Sequence, residues 1–319
     1  MTPPRGPVGL ISNPGSGHNR DQFSAVLSRI NHCEPIRHIV TKSPDDIGPA
    51  LTHLAKEGIS TLAINGGDGT ASQTLGYLLE HGVFADPPVI ALLPGGTANM
   101  NAGDIGIAGK LPQAVDQFCL WSEGKRTAKG TAARALLRVV TGDDAIHHGM
   151  FLGAGAVIQG TEYAHQEVHA RGVRDDLSLL ISVVRTVWGL TRNDPRFSQH
   201  VNIDLQVNDA PRQSFDALIL VISTLERLAF GMRPFWGPEP GNLRFTLFER
   251  GCSRFARTFI SIARGRPNRN AIPASGYRSH NADQLVLALE GNINLDGEIL
   301  DTAGHLSISA TRCLHFLQL

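Results

Sequence analysis

The chain has 319 residues with 29 basic and 29 acidic side chains, so it carries no formal net charge and offers no overall-charge argument for a nucleic-acid partner. Its 42% apolar content suits one large or two ordinary globular domains, and no apolar run is long enough for a transmembrane segment. Cys33, Cys119, Cys252 and Cys313 lie far apart without metal spacing, and Met1–Arg5 opens with no apolar stretch, which together point to a reducing cytoplasm and no secretory signal.

Strand and helix signals alternate through the first third. Pro7 to Ser12 is a short apolar run ending in the turn Asn13-Pro14-Gly15-Ser16-Gly17. Phe23, Val26, Leu27 and Ile30 recur at i, i+3, i+4 and i+7, the stripe of an amphipathic helix. Arg37 to Thr41 reads as a second strand. Ser43-Pro44-Asp45-Asp46 then opens a helix with a capping residue, a first-turn proline and acids near the positive helix end. Ile47, Leu51, Leu54 and Ala55 supply its buried stripe. Ser60 to Asn65 is the third strand, Ala71, Leu75, Leu78 and Leu79 line the next helix, and Val89 to Leu93 is the fourth strand. This order predicts an α/β domain with a mostly parallel sheet covered on both faces.

Near residue 127 the pattern changes to period two. Val201, Ile203, Leu205 and Val207 alternate with polar residues, as do Leu243-Phe245-Leu247, Leu285-Leu287-Leu289 and Leu306-Ile308-Ala310. Two helices interrupt: one through Leu177, Leu180, Ile181, Val184 and Trp188, and a shorter one through Phe255, Phe259, Ile262 and Ala263. The expectation is an α/β domain over residues 1–126 and an antiparallel β-sandwich over 127–319, whose last segment is a candidate to pack back on the first domain.

Three glycine turns follow strands of the first domain: Asn13 to Gly17, Gly66-Gly67-Asp68-Gly69-Thr70, and Pro94-Gly95-Gly96-Thr97-Ala98-Asn99. Loops at the carboxyl ends of parallel strands converge, glycine permits close backbone approach, and helix N-termini present free N–H groups to anions. One such turn merely ends a strand; three at one sheet edge favour phosphate binding. Thr70 and Thr97 can donate to phosphate oxygens, whereas Asp68 is better placed to reach Mg²⁺ or to shape the loop. No Gly-Lys-Ser/Thr follows, and the GxGxxG spacing is absent.

The order NPGSG, GGDGT, GGTAN and, far downstream, Leu295-Asp296-Gly297-Glu298 resembles the diacylglycerol kinase catalytic-domain family of lipid kinases. GGDGT alone is shared with NAD kinases; the opening NPGSG and the late DGE make the resemblance specific. It implies a Rossmann-like nucleotide-binding domain of the NAD kinase and diacylglycerol kinase type, followed by a β-sandwich, with ATP and a lipid meeting between them. By position it implies that Gly66, Gly67, Asp68, Gly69 and Thr70 hold ATP phosphates, that Gly96 and Thr97 add contacts, and that Asn13 and Thr41 line the nucleotide site. Asp68 is the implied Mg²⁺ residue, Asp296 the general base and Glu298 its companion. Asp-Gly between strands is also a strong hairpin signal, and both readings of Asp296-Gly297 can hold together.

The resemblance has gaps. Asn99-Met100-Asn101-Ala102 lacks the acid that commonly follows the asparagine, leaving Asp104 as the nearest carboxylate. Gly153-Ala154-Gly155-Ala156-Val157 lacks another acid, and Gly237-Pro238-Glu239-Pro240-Gly241 replaces an acidic turn linked to a structural metal, so no such site is expected. Arg264, Arg266 and Arg269 beside the Phe255-Phe259-Ile262 stripe read either as a solvated loop or as a contact with an anionic membrane. Arg20, after NPGSG, reads either as a phosphate contact or as an exposed first-turn residue.

The resulting expectation is a cytoplasmic kinase of phospholipid metabolism, peripheral at the membrane, using ATP and Mg²⁺ on a lipid hydroxyl. Its rivals are a soluble NAD kinase-like enzyme and a non-catalytic nucleotide- or lipid-binding regulator.

Overall fold

A computed structural model describes residues 6–163 and 200–319, together with Arg185 and Gly189. The helix expected through Leu177–Trp188 lies outside the described residues, apart from Arg185. The chain divides into two compact units, Met1–Arg134 with Cys313–Leu319, and Ala135–Arg312.

In the first unit the elements run β1 (Val8–Ser12), α1 (Asn19–Asn31), β2 (Ile36–Val40), α2 (Ile47–Lys56), β3 (Thr61–Gly66), α3 (Asp68–His81), β4 (Val89–Pro94), α4 (Met100–Ile105), α5 (Leu111–Ser122) and β5 (Gly130–Arg134). Strand order is β2-β1-β3-β4, all parallel, continued by β17 (Leu314–Gln318) and β5. The last strand of the chain pairs parallel to β4 and antiparallel to β5. The expected division at 127 therefore falls just before β5, which stays with the first unit.

The inner parallel strands β1, β3 and β4 are buried on both faces, which is why β1 and β3 read as nearly continuous apolar runs. On one face Val26 and Ile30 of α1 pack with Val115 and Phe118 of α5 against Val8, Leu10, Ala63 and Ala91. At the start of α2, Asp46 Oδ2 accepts the N–H groups of Lys42 and Ser43 at 2.7 and 2.9 Å, closing the turn that the Ser-Pro-Asp-Asp signal predicts.

The second unit contains β6 (Leu137–Thr141), β7 (Ile146–Gly149), β8 (Phe151–Gly155), α6 (Ala156–Tyr163), β9 (Val201–Val207), β10 (Gln213–Ser223), β11 (Leu243–Glu249), α7 (Phe255–Ala263), β12 (Tyr277–Ala282), β13 (Gln284–Ala288), β14 (Asn292–Leu295), β15 (Glu298–Asp301) and β16 (His305–Ala310). The second unit is antiparallel and strand-rich, as the period-two runs imply. Hydrogen bonds join these strands into one 11-stranded sheet instead of two separate ones.

The long strand β10 makes this possible. Its first half pairs with β9, its second half with β8 and β11, and a bulge lies between Ala217 and Ile219. Alternate side chains of eight strands, among them Leu137, Leu152, Leu205, Leu220, Phe245 and Leu306, share one core. No described helix is long and apolar enough to cross a membrane.

Candidate functional site: three joined glycine turns and a buried aspartate hairpin

In the first unit the carboxyl ends of β1, β3 and β4 stand in register, with Ser12 opposite Asn65 and Asn65 opposite Leu93. The three glycine turns leave from that edge and are bonded to one another. Asn13 N–H donates to Asn65 O at 2.9 Å, Gly95 N–H to Gly66 O at 3.1 Å, and Asn19 N–H to Gly95 O at 3.2 Å. Fully buried Asn19 adds side-chain bonds from Nδ2 to Asn13 O at 2.8 Å and to Asn65 O at 3.3 Å. One side chain thus braces two of the turns while its backbone holds the third.

Side chains complete the network. Asn13 Nδ2 donates to Thr70 Oγ1 at 3.0 Å, and Ser16 Oγ lies 3.4 Å from the same oxygen. Ser16 Oγ also accepts Gly67 N–H at 3.2 Å. Asn99, in the left-handed region at φ 47°, accepts Gly96 N–H at 2.8 Å and donates back to Gly96 O at 2.7 Å. The glycines are needed because the turns touch backbone to backbone. A Cβ at Gly96 would stand 2.3 Å from Gly67 Cα, and one at Gly17 would stand 2.7 Å from Thr97 N.

Of the residues expected at the nucleotide, Asn13, Gly66, Gly67, Asp68, Gly69, Thr70, Gly96 and Thr97 belong to this cluster. Thr41 lies at the neighbouring strand end, buried, with its N–H bonded to Ser12 O at 2.9 Å. Beside it, His38 Nε2 lies 2.9 Å from Ser12 Oγ, and burial pushes the imidazole below its ordinary pKa. Thr70 Oγ1 is engaged by Asn13 and Ser16, whereas Thr97 Oγ1 makes no hydrogen bond among the described residues. Arg20 is turned to its own loop, Nε donating to Gly15 O at 3.0 Å.

Asp68 sits at the first position of α3 and is buried. Its Oδ2 accepts Met100 N–H at 3.0 Å and its Oδ1 accepts Asn101 N–H at 2.9 Å, so the carboxylate caps α4. Burial pushes its pKa above the ordinary carboxylate value, and the Asn101 and Met100 amides pull the other way. The loop-shaping role is therefore visible in the geometry, and each oxygen keeps one lone pair beyond its capping bond. Asp104, the nearest other carboxylate, pairs with Arg134 at 3.2 Å and its side chain is only 2% exposed, so it is neither solvated nor directed to the turns. Among the described residues no group of three metal-ligating side chains occurs.

The phosphate fit can be judged from the start of α3. The N–H groups of Asp68, Gly69 and Thr70 precede the first intrahelical bond, Ala71 N–H to Gly67 O, and donate to no described residue. Three unpaired amides at a helix start, flanked by Gly66 and Gly67, suit a phosphate group. Sequence reasoning left out Asn19, Ser16 and Asn101. Asn101 is 1% exposed and leaves both ends of its side-chain amide unpartnered among the described residues. The visible sign for Asn19 and Asn101 was an asparagine at a position that the adjacent helix buries.

In the second unit, Asp296 and Gly297 form the two-residue turn between β14 and β15, with Leu295 opposite Glu298. Both turn residues have positive φ, 48° and 95°, as a primed hairpin requires. The 8%-exposed Asp296 carboxylate accepts Met150 N–H at 2.9 Å and Phe151 N–H at 3.0 Å. Gly149 keeps the approach open, since a Cβ there would meet Asp296 Oδ2 at 3.0 Å and Leu295 Cδ1 at 2.6 Å. Glu298 begins β15 and is exposed. At the replaced acidic turn, Glu239 pairs with His280 Nδ1 at 2.7 Å.

Residues 7–128 match the family model of the diacylglycerol kinase catalytic domain. Among curated proteins, none matches the sequence. Solved structures are similar over nearly the whole chain. A protein assigned as a diacylglycerol kinase in Bacillus anthracis str. Sterne has a TM-score of 0.69 at 15% identity, covering 98% of this chain and 95% of that one. A diacylglycerol kinase structure from the same organism gives 0.62 at 14% identity, with coverages of 98% and 97%. Yeast NADH kinase complexed with NADH gives 0.52 at 10% identity, with coverages of 99% and 84%. At these identities the structural likeness shows the fold.

Proposed function

From the match of residues 7–128 to the diacylglycerol kinase catalytic-domain model, we propose that this chain transfers the γ-phosphate of ATP to a lipid hydroxyl, with diacylglycerol the default acceptor and sphingoid or other acylglycerol lipids close behind. The observation that carries the proposal is the set of three joined glycine turns around the open amides of Asp68, Gly69 and Thr70.

In this reading the start of α3 and the Gly66–Gly67 backbone hold phosphate oxygens, Thr97 donates its unengaged hydroxyl, and Asn13 and Thr41 line the nucleotide. Mg²⁺, when bound with the nucleotide, supplies neutralisation of phosphate charge. Asp68 is the one carboxylate in the three turns, and we assign it to the metal through the lone pairs that capping leaves over. Asp296 acts as general base. The lipid oxygen bonds to the γ-phosphorus, the bond to the ADP oxygen breaks, and the hydroxyl proton passes to the carboxylate. Met150 and Phe151 hold that carboxylate in one orientation, and Glu298 stands two residues on as its companion.

The likeness to the NADH kinase fold supports a second reading, phosphorylation of a nicotinamide dinucleotide. The two separate in one assay, γ-labelled ATP offered to the full chain with diacylglycerol in mixed micelles or with NAD. Label in the lipid is the expected result; label in NAD alone would overturn the proposal. Binding of ATP without transfer to any acceptor would support the non-catalytic regulator instead.

A further inference from the structure

Residues 227–238 and 250–282 contain nine arginines and not one aspartate or glutamate, in a chain whose charges cancel only overall. The two segments pack together in the second unit. Arg233 N–H donates to Ala263 O at 2.9 Å, and Trp236 N–H donates to Ser279 Oγ at 3.0 Å. Trp236 packs against the cluster that holds Ile262, Ala271 and Tyr277.

Helix α7 divides its faces sharply. Thr258 and Ile262 are buried, and Phe255 and Phe259 set their rings edge-on to Phe248 at 6.2 Å. The opposite face carries Arg257, Ile260 and Arg264 at i, i+3 and i+7, all exposed. Ile260 is 44% exposed, Phe230 49% and Ile272 46%, three of the five large exposed apolar side chains found among the described residues.

Arg254, Arg257, Arg264, Arg266 and Arg269 form no ion pair among the described residues. Of the acids bordering the segments, Glu249 is paired with Arg278, Glu239 with His280 and Glu226 with Arg244, which leaves the exposed Asp283. We propose that this face, centred on Arg257, Ile260 and Arg264, docks on the surface of an anionic lipid bilayer. Unpaired arginines meet lipid phosphates while Ile260, on the same helix face as Arg257 and Arg264, enters the headgroup layer. A nucleic acid would use the arginines but gain nothing from the exposed Ile260 between them. The proposal rests on the lipid-kinase reading for its purpose, but it is tested without nucleotide, so either can fail alone.

The test is co-sedimentation of the full chain with phosphatidylcholine vesicles, with or without added phosphatidylglycerol. Binding is expected only with the anionic lipid, falling as salt rises. The Arg257→Ala/Arg264→Ala double variant should bind roughly 30-fold more weakly, from about a fivefold loss per arginine removed. The corresponding double lysine variant should retain binding, Ile260→Asp should weaken it, and Arg37→Ala in the first unit should leave it unchanged. All these side chains are exposed, and matching thermal melts establish that the variants fold. Equal binding to neutral and anionic vesicles, or an alanine double variant that sediments like the parent, would overturn the proposal. So would a duplex oligonucleotide bound as tightly as the vesicles with Ile260→Asp affecting neither, or self-association lost in Ile260→Asp without vesicle binding.

Discussion

Asp68 Oδ1 accepts the backbone N–H of Asn101 at 2.9 Å, while its other oxygen holds Met100 N–H, so a carboxylate from one glycine turn starts the helix that leaves another. Asp68→Ala strands both amides, and losing a buried partner costs about 1–3 kcal/mol. Asp68→Asn keeps one acceptor and should cost less. Urea denaturation of both variants checks this ranking, and Asp68→Ala should in addition raise the MgATP concentration needed for half-maximal rate. Equal stability of alanine and asparagine variants would remove the capping role.

The glycines of the joined turns should not tolerate a side chain. Gly96→Ala places a methyl 2.3 Å from Gly67 Cα, a backbone atom with no rotamer to yield. Forced overpacking costs about 1–3 kcal/mol, so nucleotide affinity measured by calorimetry should fall about tenfold or more. Gly103 is the control. It lies within α4, a Cβ there meets nothing within 4 Å, and Gly103→Ala should stabilise by about 0.5–1 kcal/mol.

His38 provides a pH signature. Burial lowers its folded pKa, so between that value and the unfolded value near 6.5 the unfolded chain binds a proton that the folded chain does not. Its stabilising contribution is complete above that upper limit and is lost as pH falls through the window, by at most about 1.4 kcal/mol per pH unit. Denaturation from pH 7.5 down to 5 (about the span where histidine dominates) should show a shallower slope for His38→Gln than for the parent.

Much of this was legible because it is local. Phe23-Val26-Leu27-Ile30 and the period-two runs around Leu205, Phe245 and Ile308 carry their own element type, and β1, β3 and β4 each run into a glycine turn. What escaped depends on partners far apart in sequence. Asp68 finds its amides 32 and 33 residues on, and Asp296 finds its own 145 and 146 residues back. The return of the last segment to the first domain is expected, but its slot between β4 and β5 is set by pairing of Leu314–Gln318 with strands far back in the sequence. Alternation in the second unit also could not tell two sheets from one, since the distinction lies in how the 11-residue β10 shares its two edges.

Loss of the proposed base should separate binding from chemistry. Asp296→Asn retains the turn and an acceptor for one of the two amides but cannot take a proton. Turnover should drop by roughly 10²–10⁴-fold, the usual worth of a general base, with ATP affinity unchanged. The most direct test incubates the parent chain and Asp296→Asn with γ-labelled ATP and a total lipid extract, then counts label in the organic phase. The lipid-kinase account predicts a labelled phospholipid with the parent and almost none with the variant. Label absent from every lipid, or an Asp296→Asn rate equal to the parent's, would contradict it.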